Sequence, residues 1–573
     1  MDRRQAEILP AWTRRNGPAD NLRASAGARP QTPATRRTAR WLGIAVAALV
    51  VGAVLAAVGY DLFQAARLAP LDSDVVQSFL EAGSILRGNV LLAGWHLAAD
   101  NFYFTDTLPF AGFALVFGRR LAALTIIPLA VYLLIVGVGM WLACSGVRSL
   151  RDRILAFAVV LFLVGLPPMS THFILLTPDI HMASILFSLA AFGALAWFRQ
   201  AQGARARALG AVAFFVLAGA AAASDPFVIA FALLPALLVL VAEWLGSDSR
   251  GRGVIVPLLL VLAAVAAGLV IPRLVARFGG FVIEPTVRSR FIAADHLGRT
   301  FIALLFDLLH LGGADFFGQR LASVGGIASL ARLAGLAVAL VALVWTLRRA
   351  AWRDKAGFLD RWLATSIIVL GLICVSSQMF DLSINGGIFQ SNASERYTVP
   401  MLIFAAVLAG RRVPEMVREL ATRRLRAASI AAVLAFSLAL LAGHTWQAAR
   451  TAGVPSWAEA NPPTTVAAWL TKNGLTRGTG GYWAANLVMA MGDGTLRIRP
   501  LAFSHGRLVP RLWITNARWR DAAEAPSFVI WQQIAPGTSH ISPRTVAATW
   551  GRPERIEHIG GFDIAVLAAP PRR

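Results

Sequence analysis

Residues 121–144 read LAALTIIPLAVYLLIVGVGMWLAC and contain no charged side chain. A helix rises about 1.5 Å per residue, so a helix of this length crosses the roughly 30 Å hydrocarbon core of a bilayer. Further apolar stretches lie on both sides of it, at 42–60, 154–168, 180–198, 209–223, 226–244, 253–275, 326–347, 363–380, 396–410 and 426–444. The sequence therefore predicts an all-α polytopic membrane protein with about eleven spanning helices.

The overall composition also indicates a membrane protein. Hydrophobic residues make up 57% of the 573 residues and charged residues only 15%, which is more apolar surface than a soluble chain could bury. The net charge of +23 comes largely from arginines in short connections between apolar stretches. At these positions, arginines indicate which side of the membrane each connection occupies. We therefore expect no nucleic-acid partner.

Basic residues concentrate in alternate connections, which predicts that these connections share one side of the membrane. They are Arg148, Arg151 and Arg153; Arg199, Arg205 and Arg207; Arg250 and Arg252; Arg348, Arg349, Arg353 and Lys355; and Arg411, Arg412, Arg418, Arg423, Arg424 and Arg426. The Arg-rich segment 1–40 reads as a disordered cytoplasmic tail, and the first apolar stretch as a retained helix. We expect a multi-pass protein of a bacterial inner membrane with its N-terminus in the cytoplasm.

The opposite, periplasmic side is expected to hold two long loops, 61–120 and 276–325, and a domain formed by 446–573. The transmembrane module then covers 41–445. In the C-terminal domain we predict a helix at 464–472 and strands at VMAM (488–491), TLRIRPL (495–501), SFVIWQQI (527–534) and FDIAVLAA (562–569). This combination favours a small α+β domain.

Two carboxylates, Asp72 and Asp74, follow the first helix. At this spacing they could act on one reaction centre, hold a divalent cation such as Mg²⁺ or Mn²⁺, or do neither. The structural alternative is a helix N-cap, in which Asp72 or Ser73 caps a helix beginning near Val75. The two interpretations are compatible.

Other polar residues have both structural and functional interpretations. His172 and His181, with Asp179 between them, have the wrong spacing for a helical histidine pair, so lining of a substrate pocket is favoured over zinc. Asp225 precedes a proline and could cap a helix. Trp483 could stack on a sugar ring or pack in a core. The two cysteines lie inside apolar stretches and predict no disulfide framework.

The ordered pattern of these segments over about 42–445 resembles the GT-C class of membrane glycosyltransferases, which use polyprenyl-phosphate-linked sugars. The resemblance rests on the pair Asp72 and Asp74, the interfacial segment 106–118 before Arg119 and Arg120, PPMSTHFILLTPDIH (167–181), Ser224-Asp225-Pro226, and Glu395-Arg396-Tyr397. It implies that Asp72 or Asp74 is the general base for an acceptor hydroxyl. The acceptor would be an envelope glycan, lipid or protein.

A departing phosphate needs cations, and the second loop supplies arginines on a side where few are expected. The alternatives are lipid headgroups or ion pairs with Glu284 or Asp295, and for Arg396 and Tyr397 an interfacial anchor. We expect eight substrate-binding residues, namely Asp106, His172, Asp225, Arg288, Arg290, His296, Arg396 and Tyr397. Rival functions are a lipid-linked oligosaccharide ligase or polymerase, a flippase or transporter, and a noncatalytic scaffold.

Overall fold

A computed structural model describes residues 52–147, 149–246, 252–284, 290–351, 357–378, 392–420, 423–492, 494–504, 507–517, 526–532 and 541–568. The chain divides into two compact units, Met1–Ala56 and Ala57–Arg573. In the first unit the predicted tail 1–40 lies outside the described residues, and residues 52–56 are helical. All features below belong to the second unit.

Long helices form the body of this unit. They are α1 (57–68 within this unit), α4 (Ala123–Cys144), α5 (Leu150–Val160), α7 (Met182–Gln200), α8 (Ala204–Ser224), α9 (Leu234–Gly246), α10 (Arg252–Arg277), α12 (Val324–Ala351), α13 (Phe358–Ser376), α14 (Asn392–Leu420) and α15 (Arg423–Thr451). Each predicted apolar stretch overlaps one of these helices, so the all-α polytopic architecture is confirmed. The stretches at 154–168 and 226–244 extend beyond α5 and α9. In the described chain, seven helices are by themselves long and apolar enough to span a membrane: α4, α7, α8, α9 with its preceding turn, α10, α12 and α13.

Where the structure describes them, the predicted basic connections meet at one end of the helix bundle, which we call the arginine-rich end. Glu243 at the end of α9 pairs with Arg199 of α7 at 2.7 Å and with Arg361 of α13 at 2.6 Å. Asp360 of α13 pairs with Arg412 of α14 at 3.0 Å. Carboxylates therefore neutralise several of these arginines, and the ion pairs join helices that are distant in sequence.

Shorter elements collect at the other end, which we call the loop end. The first loop contributes α2 (Gln77–Ile85), β1 (Trp95–Leu97) and α3 (Leu108–Phe117), and the second contributes β2 (Val282–Ile283) and α11 (Leu297–Leu311). A short helix, α6 (His172–Leu175), precedes α7. Strand β1 pairs in parallel with β2 and antiparallel with β6 (Thr515–Asn516) of the C-terminal region. This small sheet fastens three separate segments together at the loop end.

The C-terminal region is an α+β structure, as predicted. Its elements are α16 (Trp457–Ala460), α17 (Pro462–Lys472), β3 (Arg477–Gly481), α18 (Tyr482–Met491), β4 (Arg497–Ser504), β5 (Arg507–Pro510), β7 (Phe528–Gln532), α19 (Pro543–Trp550), β8 (Arg555–Ile559) and β9 (Phe562–Val566). The sheet has the order β5-β4-β3-β7-β9-β8, in which β3 is parallel to both neighbours and the remaining pairs are antiparallel.

One predicted strand is wrong. VMAM, at 488–491, forms the last turn of α18. Its side chains are buried all round, and a short apolar run has no periodicity that separates a buried strand from a buried helix. The other predicted elements are confirmed, because the helix at 464–472 lies in α17 and the strands at 527–534 and 562–569 contain β7 and β9. The predicted strand at 495–501 overlaps β4, which continues to Ser504.

Candidate active site

Asp72 and Asp74 lie in the turn between α1 and α2. The Asp72 carboxylate accepts hydrogen bonds from the backbone N–H groups of Asp74 at 2.9 Å and Val75 at 3.1 Å. Asp72 therefore caps this turn, but it is not the helix N-cap that the structural interpretation predicted, because α2 starts later, at Gln77, and its N-cap residue Val76 makes no capping side-chain hydrogen bond. The cap fixes the Asp72 side chain relative to the backbone of the turn.

The C-terminal region reaches this turn through the start of α18. The Tyr482 hydroxyl donates a hydrogen bond to the Asp74 carboxylate. The Ser73 hydroxyl lies 2.7 Å from the Tyr482 carbonyl oxygen and 2.9 Å from that of Trp483. The Arg511 guanidinium lies over the Tyr482 ring, 4.5 Å from its centroid. The acid pair is thus held by residues about four hundred positions later in the chain.

A cavity of about 540 Å³ opens at the loop end, and we call it cavity A. The predicted residues Asp225, Arg290, Arg396 and Tyr397 line it. His181, for which the sequence favoured a place in a substrate pocket, also lines it, together with Asp100 and Trp513, which were not assigned to substrate binding. Four of the eight predicted substrate-binding residues are therefore brought together here from separate parts of the sequence.

Arg396 connects cavity A to the acid pair. Its guanidinium interacts electrostatically with Asp74 and Asp100, and more weakly with Asp72. Its Nη2 donates a hydrogen bond to the Tyr397 hydroxyl at 3.0 Å, while the buried Nε has no hydrogen-bond partner among the described residues. A buried donor without a partner is costly, so an anionic ligand at this point would be stabilised.

Arg290 is placed at cavity A by a short backbone contact. Its neighbour Phe291 forms a β-bridge with Ser377, just beyond α13, and the Arg290 carbonyl accepts a hydrogen bond from Gln378 N–H at 3.1 Å. The second loop is therefore anchored to a membrane helix where its arginine lines the cavity. Arg288, the other predicted clamp residue, lies outside the described residues.

His181 and Asp225 form a buried pair in the wall of cavity A. His181 Nδ1 lies 2.7 Å from Asp225 Oδ2, and Asp225 Oδ1 accepts a hydrogen bond from Phe227 N–H at 3.0 Å. The predicted capping role of Asp225 is thus present alongside its place in the cavity. His181 and Asp179 both have left-handed backbones, with φ of 62° and 59°. Such strain in non-glycine residues concentrates at functional sites.

Asp106 is buried behind cavity A and is not one of its lining residues. Burial, with a smaller contribution from the nearby Asp225 charge, raises the pKa of its carboxyl to about 7. Asp179 adjoins it and accepts hydrogen bonds from the backbone N–H and hydroxyl of Ser78, at 3.0 and 2.6 Å. Both carboxyls support the cavity wall from inside the protein.

Two predicted histidines lie away from cavity A. His172 is buried, its Nε2 is 3.2 Å from the Pro167 carbonyl, and burial lowers its pKa to about 4. His296 lies in a single turn before α11, with Nε2 3.8 Å from Asp295. Neither lines cavity A, so their predicted roles in binding rest on the sequence alone.

Within the described ranges, no cluster of three or more His, Cys, Asp or Glu side chains is arranged to hold a metal ion. In the acid pair, Asp72 accepts hydrogen bonds from backbone N–H groups and Asp74 accepts one from a tyrosine hydroxyl. These protein donors hold both carboxylates in place.

Sequence reasoning missed Tyr482, Arg511 and Trp513, because nothing in the local sequence of a C-terminal domain indicates which residues face a distant loop. Asp100 and His181 carried a weak signal: both are ionisable and lie in or beside segments expected on the periplasmic side. Their place in cavity A depends on the packing of α8, α14 and the first loop.

No protein-family model matches the sequence, and no curated protein matches it. Two crystal structures of ArnT from Cupriavidus metallidurans resemble the fold. The apo structure has a TM-score of 0.42 and 14% identity, covering 94% of this chain and 100% of that one. The structure bound to undecaprenyl phosphate has a TM-score of 0.44 and 13% identity, covering 92% and 99%. Likeness at this level of identity and TM-score carries no functional conclusion, so the function proposed for this chain follows from the geometry of its own site.

Proposed function

We propose that this chain is a membrane glycosyltransferase that moves a sugar from a polyprenyl-phosphate carrier to a cell-envelope acceptor, on the periplasmic face of a bacterial inner membrane. The observation that carries the proposal is the convergence at the loop end, where Arg290 and Arg396 line one cavity and Arg396 interacts with Asp72 and Asp74. Acids for the acceptor and cations for the phosphate thus adjoin each other.

The reaction assigns a role to each charge. Asp72 accepts the proton of the acceptor hydroxyl, whose oxygen forms a bond to the anomeric carbon of the donor sugar. The bond from that carbon to the phosphate oxygen breaks, and the electron pair leaves with the phosphate. Arg396 and Arg290 stabilise the developing phosphate charge, because guanidinium groups bind phosphate oxygens through paired N–H donors. Asp74, held by Tyr482, adds a second negative charge that attracts Arg396.

The surroundings of cavity A suit a lipid-linked donor. Its lining includes Ile373 from α13 and Phe227 and Ala230 beside α9, all from membrane helices. Helix α3, which the sequence predicted to lie at the interface, exposes Leu115 and Val116, each with 73% of its surface accessible. An isoprenoid chain could therefore remain in apolar surroundings while its phosphate meets the arginines.

A lipid-linked oligosaccharide ligase is the second candidate. His181 favours it, because a buried histidine paired with a carboxylate in the same cavity could serve as the base instead of Asp72. Replacing each base separately distinguishes the two reactions, since only one of the variants should lose turnover while still binding the carrier phosphate.

The proposal is tested with the full-length chain in lipid nanodiscs, using undecaprenyl phosphate as the binding probe and transfer from polyprenyl-phosphate sugars to envelope extracts as the activity. We expect Arg396→Ala to weaken undecaprenyl phosphate binding about tenfold or more, because it removes a charge-assisted contact. Arg320→Ala, an exposed arginine of the second loop outside cavity A, is the matched control. Equal binding by both variants would contradict the proposed donor site.

A further inference from the structure

A second cavity of about 580 Å³ adjoins the acid pair on the side facing the C-terminal region, and we call it cavity B. Asp72 lines it from the first loop, while Trp457, Trp483, Gln532, Gly561 and Phe562 are among its residues from the C-terminal region. Its volume falls within the range of about 300–1,000 Å³ typical of small-molecule sites.

The chemistry of cavity B differs from that of cavity A. Its lining residues include two tryptophans and a phenylalanine, with Gln532 and Asp72 as polar residues. Among the described residues that line it, none is basic. A phosphate would therefore meet an acid without a cation in cavity B, whereas cavity A offers two arginines.

Indole rings beside amide and carboxylate oxygens are suited to a sugar ring. The apolar C–H face of a pyranose or furanose packs on an indole, and its hydroxyls need hydrogen-bonding groups at the edge. Trp457 and Trp483 each pack against a core cluster and keep part of their surface exposed. Gly561 carries no side chain, and an added Cβ there would meet nothing within 4 Å, so the cavity is open at this position.

Asp72 links the two cavities. Its side chain lines cavity B, and its charge interacts with Arg396, which lines cavity A. A hydroxyl presented from cavity B would therefore reach a base whose other neighbour is the cation of the donor site. The two substrates of a transfer reaction need this arrangement, in which they approach one base from different sides.

We propose that cavity B is the acceptor site and that it binds a sugar ring of an envelope glycan, stacked on Trp457 and Trp483 with one hydroxyl directed at Asp72. This inference rests on the proposed glycosyltransferase function. In the reaction the acceptor hydroxyl gives its proton to Asp72, and its oxygen bonds to the anomeric carbon as the phosphate leaves from cavity A. The acceptor is then a carbohydrate, rather than the lipid or protein that the sequence left open.

The test measures glycan binding by the full-length chain in nanodiscs on an array of bacterial envelope oligosaccharides. We expect at least one oligosaccharide class to bind, and we expect Trp457→Ala and Trp483→Ala each to weaken that binding about tenfold. Trp446→Ala is the matched control, because this residue of α15 is 67% exposed and outside both cavities. Trp483→Phe, which keeps an aromatic ring against Tyr482, replaces the alanine variant if that variant fails to fold.

Two results would overturn the inference: binding of no oligosaccharide by the unchanged protein, or unchanged binding in the Trp457 and Trp483 variants. Undecaprenyl phosphate binding, measured in parallel, separates this inference from the proposed function. If the tryptophan variants lose the glycan and keep the carrier phosphate, cavity B is the acceptor site. If the unchanged protein binds the glycan but no undecaprenyl phosphate, cavity B stands and the proposed donor is wrong.

Discussion

Opposing influences act on the carboxyl of Asp72. Desolvation by the surrounding protein and the nearby Asp74 charge raise its pKa, while hydrogen bonds from the backbone and the Arg396 guanidinium act in the other direction. The side chain is exposed toward cavity B, yet enough protein surrounds it for the upward shift to prevail. A raised pKa makes an ionised carboxylate a better proton acceptor.

Asp72→Asn should reduce sugar transfer about 100- to 10,000-fold, the usual contribution of a general base, while undecaprenyl phosphate binding is retained. The pH profile of kcat/KM provides a second readout. Transfer requires ionised Asp72, so the rate should fall as the pH falls through a pKa above the ordinary 3.8.

The fall in kcat/KM at low pH forms the acidic limb of the pH profile. Two charges beside Asp72 should shift this acidic limb in opposite directions. Asp74→Asn removes a charge that raises the pKa of Asp72, so the limb should move to lower pH, whereas Arg396→Gln should move it to higher pH. Asp295→Asn, in the second loop, is the control and should leave the limb in place. An identical limb in all three variants would show that Asp72 is not the titrating base.

Glu81 in α2 is a buried carboxyl of a different kind. One oxygen accepts a hydrogen bond from the Thr107 hydroxyl at 2.6 Å, and the other has no partner among the described residues. Burial raises the pKa of Glu81 to about 8 from an ordinary 4.5. Below pH 4.5 the folded and unfolded states both hold the proton, and between 4.5 and 8 only the folded state does. The free energy of unfolding therefore falls as the pH rises through this window.

Glu81→Gln should prevent this fall in the free energy of unfolding, because glutamine stays neutral at every pH. Thermal denaturation in detergent should show a variant more stable than the unchanged protein at pH 8, by on the order of a few kcal/mol, with similar stability near pH 4.5. Glu554→Gln, at an exposed position, is the control. Equal melting temperatures of the Glu81 variant and the unchanged protein at pH 8 would contradict the buried neutral carboxyl.

At the scale of elements, helices α4, α5 and α14 pack closely because glycine allows their backbones to approach. A Cβ added to Gly410 of α14 would lie 2.8 Å from the Ala143 Cβ of α4 and 2.9 Å from Val160 Cγ2 of α5. Gly137 of α4 is also helical, but a Cβ there would meet nothing within 4 Å. Comparing alanine variants at these two glycines therefore separates the effect of close packing from the effect of helix propensity.

Gly410→Ala should lower the stability by about 1–3 kcal/mol through overpacking. Gly137→Ala should raise it by roughly 0.5–1 kcal/mol, because alanine is the better helix former and finds open space. Thermal unfolding of both variants under one detergent condition measures the difference. A Gly410 variant as stable as the Gly137 variant would contradict the packing of α14 against α4 and α5.

At the scale of the whole molecule, the two ends of the bundle are chemically distinct. Arginine–carboxylate pairs such as Arg199 with Glu243 occupy one end, and the small sheet, the two cavities and the C-terminal region occupy the other. Positive charge favours the cytoplasmic side of short loops, so the loop end is expected to face the periplasm.

This orientation predicts the labelling pattern of introduced cysteines. In a chain with Cys144 and Cys374 replaced by alanine, Asp295→Cys should react with a membrane-impermeant maleimide in spheroplasts. Arg205→Cys, at the exposed start of α8, should react only after the membrane is permeabilised. Labelling of both positions from the same side would contradict the alternation of spanning helices, and a reversed pattern would contradict the orientation.

Features that depend on neighbouring residues followed from the sequence alone. Hydropathy over a helix length located the spanning stretches, and the arginines grouped the connections. The hydrogen bonds of Asp72 to the backbone of its own turn followed from its place before α2, although it does not cap the helix itself. These features are local, because membrane insertion and capping act on consecutive residues. The same local signals failed at 488–491, where complete burial removed the periodicity that distinguishes a strand from a helix.

Only the tertiary structure decided what surrounds the acid pair. Tyr482 reaches Asp74 across most of the chain, Arg290 and Arg396 enter one cavity from separate segments, and Trp483 lines another beside Asp72. His172 shows the converse, since it lies in the expected segment but outside the cavities. The physical reason is that a cavity is formed by the packing of distant elements, and no window of consecutive residues records which side chains that packing brings together.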